Sequence, residues 1–437
     1  MTEDNNHVLD SDKDVCPDSR PYLNALKSYF SKMRKFIFHY EYLDKEKLQG
    51  FTKYKYKGID TNPINNQITM PLCDKIASLI PKWVAPNVLT FITFFLSLLQ
   101  YLILAYYDYP LYHSATELIA IERIPNWVWF FSGTVLLACI VLDALDGKHA
   151  RRIGACSPVG ELLDHSIDTW RLTAPVITCF YSIFGRLDYG VPGYRLMWLL
   201  LATQGVVAVM FWQQHVTGVL IYSWGYDIMQ YMMAWFYFHT WYREGADWWQ
   251  CDGWYFGTNA VITEKWGYLI IVVVALPMQF HHFIKYQRRA DAKRLGLGEF
   301  VRPMVAPVAL LLTAFILSLR NLYDSVIEED PRCSLWLEGI IFCDMMWRLL
   351  LANMTRTPCP RWNKLLSFFI CCTLYWYVRP RSILRWDRWT VQAASCLATL
   401  VHFHLVVCTL NQMCQHFGIY LFSTQPRKPT RSESSQY

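Results

Sequence analysis

The chain has 437 residues, 54% of them apolar and 16% aromatic, with 41 Lys and Arg against 35 Asp and Glu and a formal net charge of +6. A mean hydropathy of +0.15 together with long apolar runs points to an integral membrane protein. The modest charge, with basic residues gathered at the ends of those runs, excludes a nucleic-acid-binding reading. The 14 cysteines are scattered without a CxxC pair. Several, such as Cys139, Cys179, Cys371 and Cys372, fall inside apolar runs, so they read as reduced fillers rather than zinc ligands or disulfides.

Met1 to Asn24 is polar and acidic with no apolar core, so no cleaved signal peptide is read there, and residues 1–20 are expected to be disordered. Leu26 to Tyr42 mixes aromatic and basic side chains, a pattern that fits an interfacial helix and a soluble cap helix equally well. Residues 1–47 are taken as an N-terminal cytosolic segment, 48–422 as one transmembrane domain and 423–437 as a polar cytosolic tail. The first spanning helix is expected over Val84–Tyr107, opened by Pro86 and Asn87. The second is expected over Trp127–Leu142, with Pro125, Trp127 and Trp129 at its interface.

The second span runs straight into a polar stretch. Asp143, Asp146, Gly147, Ala150 and Arg151 are followed, after eight residues, by Gly160, Asp164 and Asp168. Aspartates at i, i+3 and at i, i+4 lie on one face of a helix. Two such helices joined by a short loop can aim four carboxylates into one space. A cage of hard oxygens suits Mg²⁺ or Mn²⁺, the more so with phosphates as further ligands. Gly147 and Gly160 leave room for a ligand or a second backbone, and Arg151 is suited to a phosphate. Carboxylates beside long apolar runs are functional candidates rather than solvated helix caps.

Further spans are expected over Ile167–Phe184, Leu196–Trp212, Ile228–Trp241, Trp266–Phe283, Met304–Leu319, Leu335–Leu351, Leu365–Tyr377 and Val391–Phe417, about ten in all for an all-α polytopic fold. The basic groups near Lys148, Lys285, Arg356 and Arg427 then fall on one side with the N-terminus, which makes that side cytosolic. The group at Arg379, Arg381, Arg385 and Arg388 falls on the other side, as does the acidic run Glu328 to Asp330.

The eight spaced positions resemble the signature of the CDP-alcohol phosphatidyltransferase family, D-x2-D-G-x2-A-R-x8-G-x3-D-x3-D, without a gap. Gly50 to Pro63, Tyr181 to Arg186 and Trp224 to Ile228 resemble the ethanolamine branch of the eukaryotic choline and ethanolamine phosphotransferases. The resemblance implies transfer of phosphoethanolamine from CDP-ethanolamine, or of phosphocholine from CDP-choline, to diacylglycerol, with release of CMP. It implies a two-metal Mg²⁺ or Mn²⁺ site with Asp143, Asp146 and Asp164 as ligands and Asp168 as ligand and base. It places Gly147, Ala150 and Arg151 along the nucleotide, with Gly160 packed near it. It also implies a homodimer in the endoplasmic reticulum or Golgi membrane, with its active site between helices and facing the cytosol.

Glu161 reads either as a group supporting the ligands or as a helix N-terminal charge. His165, one residue off the ligand face, reads as structural. Relatives usually carry a histidine where this chain has Phe211; His215, one turn further on, is the substitute the sequence offers. A transport or non-catalytic lipid-binding protein is the rival from another class, and the intact signature spacing argues against it.

Overall fold

The computed structural model describes residues 28–29, 40–62, 65–112, 123–186, 190–222, 224–251, 257–288, 295–319, 325–378 and 387–426. The expectations for residues 1–20, for most of the stretch 26–42, for the basic loop at Arg379, Arg381 and Arg385, and for the tail beyond 426 lie outside these residues. The described chain is a helical assembly: α1 Lys45–Gly50, α2 Met70–Leu79, α3 Pro86–Tyr107, α4 Asn126–Ile153, α5 Pro158–Leu172, α6 Ala174–Tyr181, α7 Gly193–Thr217, α8 Trp224–Tyr242, α9 Asn259–Gln287, α10 Leu297–Leu319, α11 Pro331–Thr355, α12 Lys364–Val378 and α13 Asp387–Phe417. Short helical turns at Phe51–Lys53, Asn65–Thr69, Asp247–Gln250 and Val326–Glu329 and two short strand pairs complete it. β1, Gly58–Asp60, runs parallel to β2, Leu220–Tyr222, and Ile419–Tyr420 forms a hairpin with Ser423–Pro426.

Proline and glycine set the helix ends. α3 opens on Pro86 and α5 carries Pro158 at its start, where a missing N–H costs nothing. α4 stops at Gly154, whose φ of 70° is left-handed and whose N–H reaches back to the carbonyls of Ala150 and Arg151. The span expected over Ile167–Phe184 is broken at Thr173 into α5 and α6. Pro175 explains the break, because it has no N–H to donate and its ring meets the carbonyl four residues back. In α9 the turn Ile271–Ala275 widens to a π-helical one just before Pro277, which relieves the same conflict without ending the helix.

Among the described residues six helices, α3, α4, α7, α9, α10 and α13, are long and apolar enough to cross a membrane, and α12 is a shorter apolar helix. The protein is thus a multi-pass membrane protein. α11 falls outside that set for a physical reason. It is 25 residues long and nearly all of it is buried, so its neighbours rather than lipid solvate it. It packs against α5, α7 and α13 and therefore carries polar groups. Glu338 accepts a hydrogen bond from Gln204 at 2.6 Å, and Asp344 accepts from Arg348 at 2.8 Å and Asn363 at 3.1 Å. By contrast α3 and α13 present Phe95, Leu102, Leu400 and Phe403 outward, as a bilayer-facing surface requires.

The boundary expected at 47/48 falls inside α1, and the one at 422/423 falls inside the C-terminal hairpin. Tyr42 and Leu43, before α1, hydrogen-bond through their N–H groups to Gln412 Oε1 of α13 at 2.9 and 3.1 Å.

Asn353, in the Asn-x-Thr sequon of the chain, lies in the last turn of α11, and its Oδ1 accepts from His215 Nδ1 at 2.5 Å. It is expected to carry no glycan. Glycosidase digestion of protein from a eukaryotic host checks this: a mobility shift that disappears in Asn353→Gln would contradict the packing described.

Candidate active site

α4 is fastened at its polar end before it delivers its aspartates. Lys148 pairs with Asp74 of α2, and His149 Nε2 bonds the Val84 carbonyl at 2.9 Å. Arg152 Nη1 donates to the carbonyls of Ala77 and Ile80 at 2.5 and 2.7 Å and so caps the end of α2. Arg152 is thereby committed to structure, whereas Arg151 is solvent-exposed and lines a cavity. After the turn at Gly154 the chain re-enters helix α5 at Ser157, whose Oγ accepts from the Gly160 N–H at 3.2 Å.

The two helices bring the carboxylates together. Asp143 of α4 and Asp164 and Asp168 of α5 each offer a carboxylate oxygen, and these oxygens lie within 4.8 Å of one another. Asp146 stands beside this triad, within hydrogen-bond reach of Asp164 and accepting from the Thr90 hydroxyl of α3. Asp168 also takes Nη2 of Arg171 at 3.2 Å. Three hard oxygens at this separation fit a divalent cation, which also relieves their mutual repulsion.

All eight signature positions line one cavity of about 550 Å³. Gly160 has a packing role in it. A Cβ there would sit 3.0 Å from Asn87 Oδ1, while Asn87 Nδ2 donates to the Leu421 carbonyl at 2.8 Å. The glycine therefore lets α3 and the C-terminal hairpin close on α5. Gly147 faces Arg151, whose Nη1 would lie 3.5 Å from an added Cβ.

Residues from outside the signature complete the cavity wall. Tyr54 donates to Glu161 Oε1 at 2.5 Å. Pairing of β1 with β2 brings Asp60 and Tyr222 to the same wall, and the Tyr222 hydroxyl meets His165 Nε2 at 2.9 Å. Gln230 of α8 reaches in beside Arg171, its Oε1 accepting at 3.3 Å. Glu161 and His165 thus both face the cavity. His215 does not line it; it is buried and bonded to Asn353. Phe211, by contrast, lies with its ring 6.3 Å from that of His165. Of these, Glu161 and His165 stand out in the sequence beside the signature, and Tyr54 and Asp60 fall in the Gly50 to Pro63 stretch, where the place of Asp60 in the wall depends on a strand pairing across more than 150 residues of chain.

Residues 83–284 match the family model for CDP-alcohol phosphatidyltransferase. The chain is 33% identical to ethanolaminephosphotransferase 1 of Mus musculus over 393 residues, which cover 89% of this chain and 96% of the relative. The chain belongs to the CDP-alcohol phosphatidyltransferase family. It is also 32% identical to ethanolaminephosphotransferase 1 of Homo sapiens over 395 residues, with 89% and 96% covered. Cholinephosphotransferase 1 of Danio rerio is 26% identical over 360 residues, with 80% and 87% covered. A member of the CDP-alcohol phosphatidyltransferase family with its signature intact is a phosphotransferase enzyme, and divalent-metal dependence is general in the family.

Asp143→Ala takes one carboxylate out of the triad and is expected to lower turnover by more than the roughly 10–100-fold typical of losing a group that only supports a ligand. Thr90→Val, which strips Asp146 of its hydroxyl donor, should fall within that roughly 10–100-fold range. Rates across a Mg²⁺ titration check both; a Thr90→Val enzyme that matches wild type at limiting Mg²⁺ would show that this bond does not orient Asp146.

Proposed function

We propose that this enzyme transfers phosphoethanolamine from CDP-ethanolamine to diacylglycerol, giving phosphatidylethanolamine and CMP. The observation that carries the reading is the gathering of all eight signature positions on one cavity around the Asp143, Asp164 and Asp168 triad. The choice of ethanolamine is supported by greater similarity to the mammalian relatives named for it than to the choline-named fish relative. Choline, or both alcohols, is the second reading. The tyrosines at 54, 56 and 222 on the cavity wall favour it, because aromatic faces suit a trimethylammonium group.

Asp143, Asp146, Asp164 and Asp168 would hold Mg²⁺ or Mn²⁺ in a two-metal arrangement. Bound there, the cations supply positive charge against the donor's pyrophosphate and its leaving oxygen. Gly147 and Ala150 leave room for the nucleotide, Gly160 packs near it against Asn87, and Arg151 pairs with its phosphates. Asp168 accepts the proton of the diacylglycerol hydroxyl, and Arg171 at 3.2 Å holds the carboxylate in place. The hydroxyl oxygen then bonds to the phosphorus that carries ethanolamine. The bond from that phosphorus to the bridging oxygen breaks, and its electron pair leaves with CMP. The donor enters from the cytosolic side in the positive-inside orientation, in an endoplasmic reticulum or Golgi membrane.

The direct test is CMP release by purified protein supplied with diacylglycerol, Mg²⁺ and either donor. CDP-ethanolamine is expected to turn over faster than CDP-choline; the reverse order would move the assignment to the choline branch, and no release from either would remove it.

Asp168→Asn keeps the side chain's shape and removes its basicity. Turnover should fall by at least the ~10²–10⁴-fold typical of losing a general base, while donor binding in the presence of Mg²⁺ stays within a few-fold of normal. A variant that retains more than about a tenth of the wild-type rate places the base elsewhere. His165, which lines the cavity, would then be the residue to test ahead of His215, which does not.

A further inference from the structure

The C-terminal hairpin reaches the catalytic cavity from far outside the signature. α13 ends at Phe417, and Gly418, with a φ of 63°, turns the chain into the hairpin. Tyr420 pairs with Ser423 across a two-residue turn made of Leu421 and Phe422. Neither turn residue has a positive φ, so the turn is not of the primed kind that hairpins favour.

The hairpin is fixed at both ends. At its base the Phe417 ring meets that of Phe51 at 5.8 Å, and Gln412, earlier in α13, holds the N–H groups of Tyr42 and Leu43. Its tip rests on α3. Phe422 and Phe91 have their rings 5.0 Å apart, and the Leu421 carbonyl accepts from Asn87 Nδ2 at 2.8 Å.

That bond decides which way the Asn87 amide faces. A carbonyl can only accept, so it takes the NH₂ end of the amide and leaves Oδ1 on the other side. There Oδ1 lies 3.0 Å from the place a Cβ of Gly160 would occupy, and Asn87 and Gly160 both line the catalytic cavity. The Gly160 N–H is already given to Ser157 Oγ, and among the described residues none donates to Asn87 Oδ1. The tip of the hairpin therefore presents an amide oxygen to the cavity that also holds Gly147, Ala150 and Arg151.

We propose that the C-terminal hairpin is a positioning element of the donor site: by holding Nδ2 of Asn87 it aims Oδ1 at the nucleoside of CDP-ethanolamine, whose N–H and O–H groups are what an amide oxygen accepts. Asn87 touches the nucleoside, and Leu421 and Phe422 act through it. The inference rests on the function proposed above, which places the nucleotide beside Gly147, Ala150 and Gly160.

CMP carries the nucleoside without the alcohol, so its binding to the purified full-length protein with Mg²⁺, measured by calorimetry, reads the contact apart from turnover. Leu421→Asn combined with Phe422→Gly keeps a hairpin but favours a primed turn, with both φ values positive, and so re-aims the carbonyl at 421. This variant is expected to bind CMP more weakly and to show a higher KM for CDP-ethanolamine by the same factor, roughly two- to tenfold, the order for one net hydrogen bond, with kcat unchanged. Phe422 is 46% exposed, and Phe422→Ala, which only frees the tip from Phe91, should shift CMP affinity in the same direction. In an Asn87→Ala background the turn substitutions should add nothing, a pattern that general loosening of the fold does not give. Mn²⁺ affinity should stay the same in the turn variants, because Thr90 of the same helix still reaches Asp146. Wild-type CMP affinity in both turn variants, turn and Asn87 effects that multiply when combined, or a turn variant with altered Mn²⁺ affinity overturns the proposal. Wild-type protein that binds CMP with Mg²⁺ yet releases none from either donor overturns the proposed function instead, which separates the two failures.

Discussion

The structure is organised around keeping like charges close together at the end of apolar helices. At the separation seen among Asp143, Asp164 and Asp168, two carboxylates repel by on the order of 4 kcal/mol at an effective dielectric constant of about 20. Such a cluster persists only if the scaffold holds it and a cation or a bound proton relieves the repulsion. The scaffold's share is visible in the turn between α4 and α5. Gly154 stops one helix, Ser157 caps the next, and Gly160 admits Asn87 so that α3 buttresses both. On the other side, Lys148, His149 and Arg152 tie the end of α4 to α2 and to the turn before α3. Nearly every polar residue of this stretch is spent on position, and Arg151 is left facing the cavity.

The helices behind the site follow the same logic with different partners. α11 passes through the middle of the assembly with Arg332, Glu338 and Asp344 fully buried. Each is met by a neighbour: Arg332 by the carbonyls of Asp108 and Tyr109 at 2.8 Å, Glu338 by Gln204, and Asp344 by Arg348 and Asn363. Buried charges of this kind add little net stability but are costly to leave without a partner, so they fix which helices can neighbour α11. The lipid-facing helices, α3 and α13 among them, carry apolar residues such as Phe95, Leu102, Leu400 and Phe403 outward.

The eight signature positions could be read from the sequence because their information is local: i, i+3 and i, i+4 spacing along two helices survives without knowledge of the fold. The membrane class was equally legible from long apolar runs. What was not legible depended on contacts between distant segments. Asp60 and Tyr222 come to the site through the pairing of β1 with β2, three residues each, which no periodicity announces. His165 reads as structural because it lies one residue off the ligand face, yet that offset turns it toward Tyr222 and the cavity wall. His215 lies one turn beyond Phe211 and is the substitute the sequence offers, but that turn carries it past the cavity to Asn353. The break at Thr173 was written in Pro175, and a hydropathy reading passes over it because proline interrupts hydrogen bonding rather than apolarity.

The central claim is that carboxylates from α4 and α5 together form one divalent-cation site. Mn²⁺ binding to the purified protein, followed by electron paramagnetic resonance and competed with Mg²⁺, addresses it without relying on turnover. Wild-type protein should show saturable Mn²⁺ binding that Mg²⁺ displaces, and replacing both Asp143 and Asp164 by Asn, one residue from each helix, should abolish it. Undiminished, Mg²⁺-sensitive Mn²⁺ binding in that double variant, with the protein still folded and monodisperse in detergent, would contradict the account.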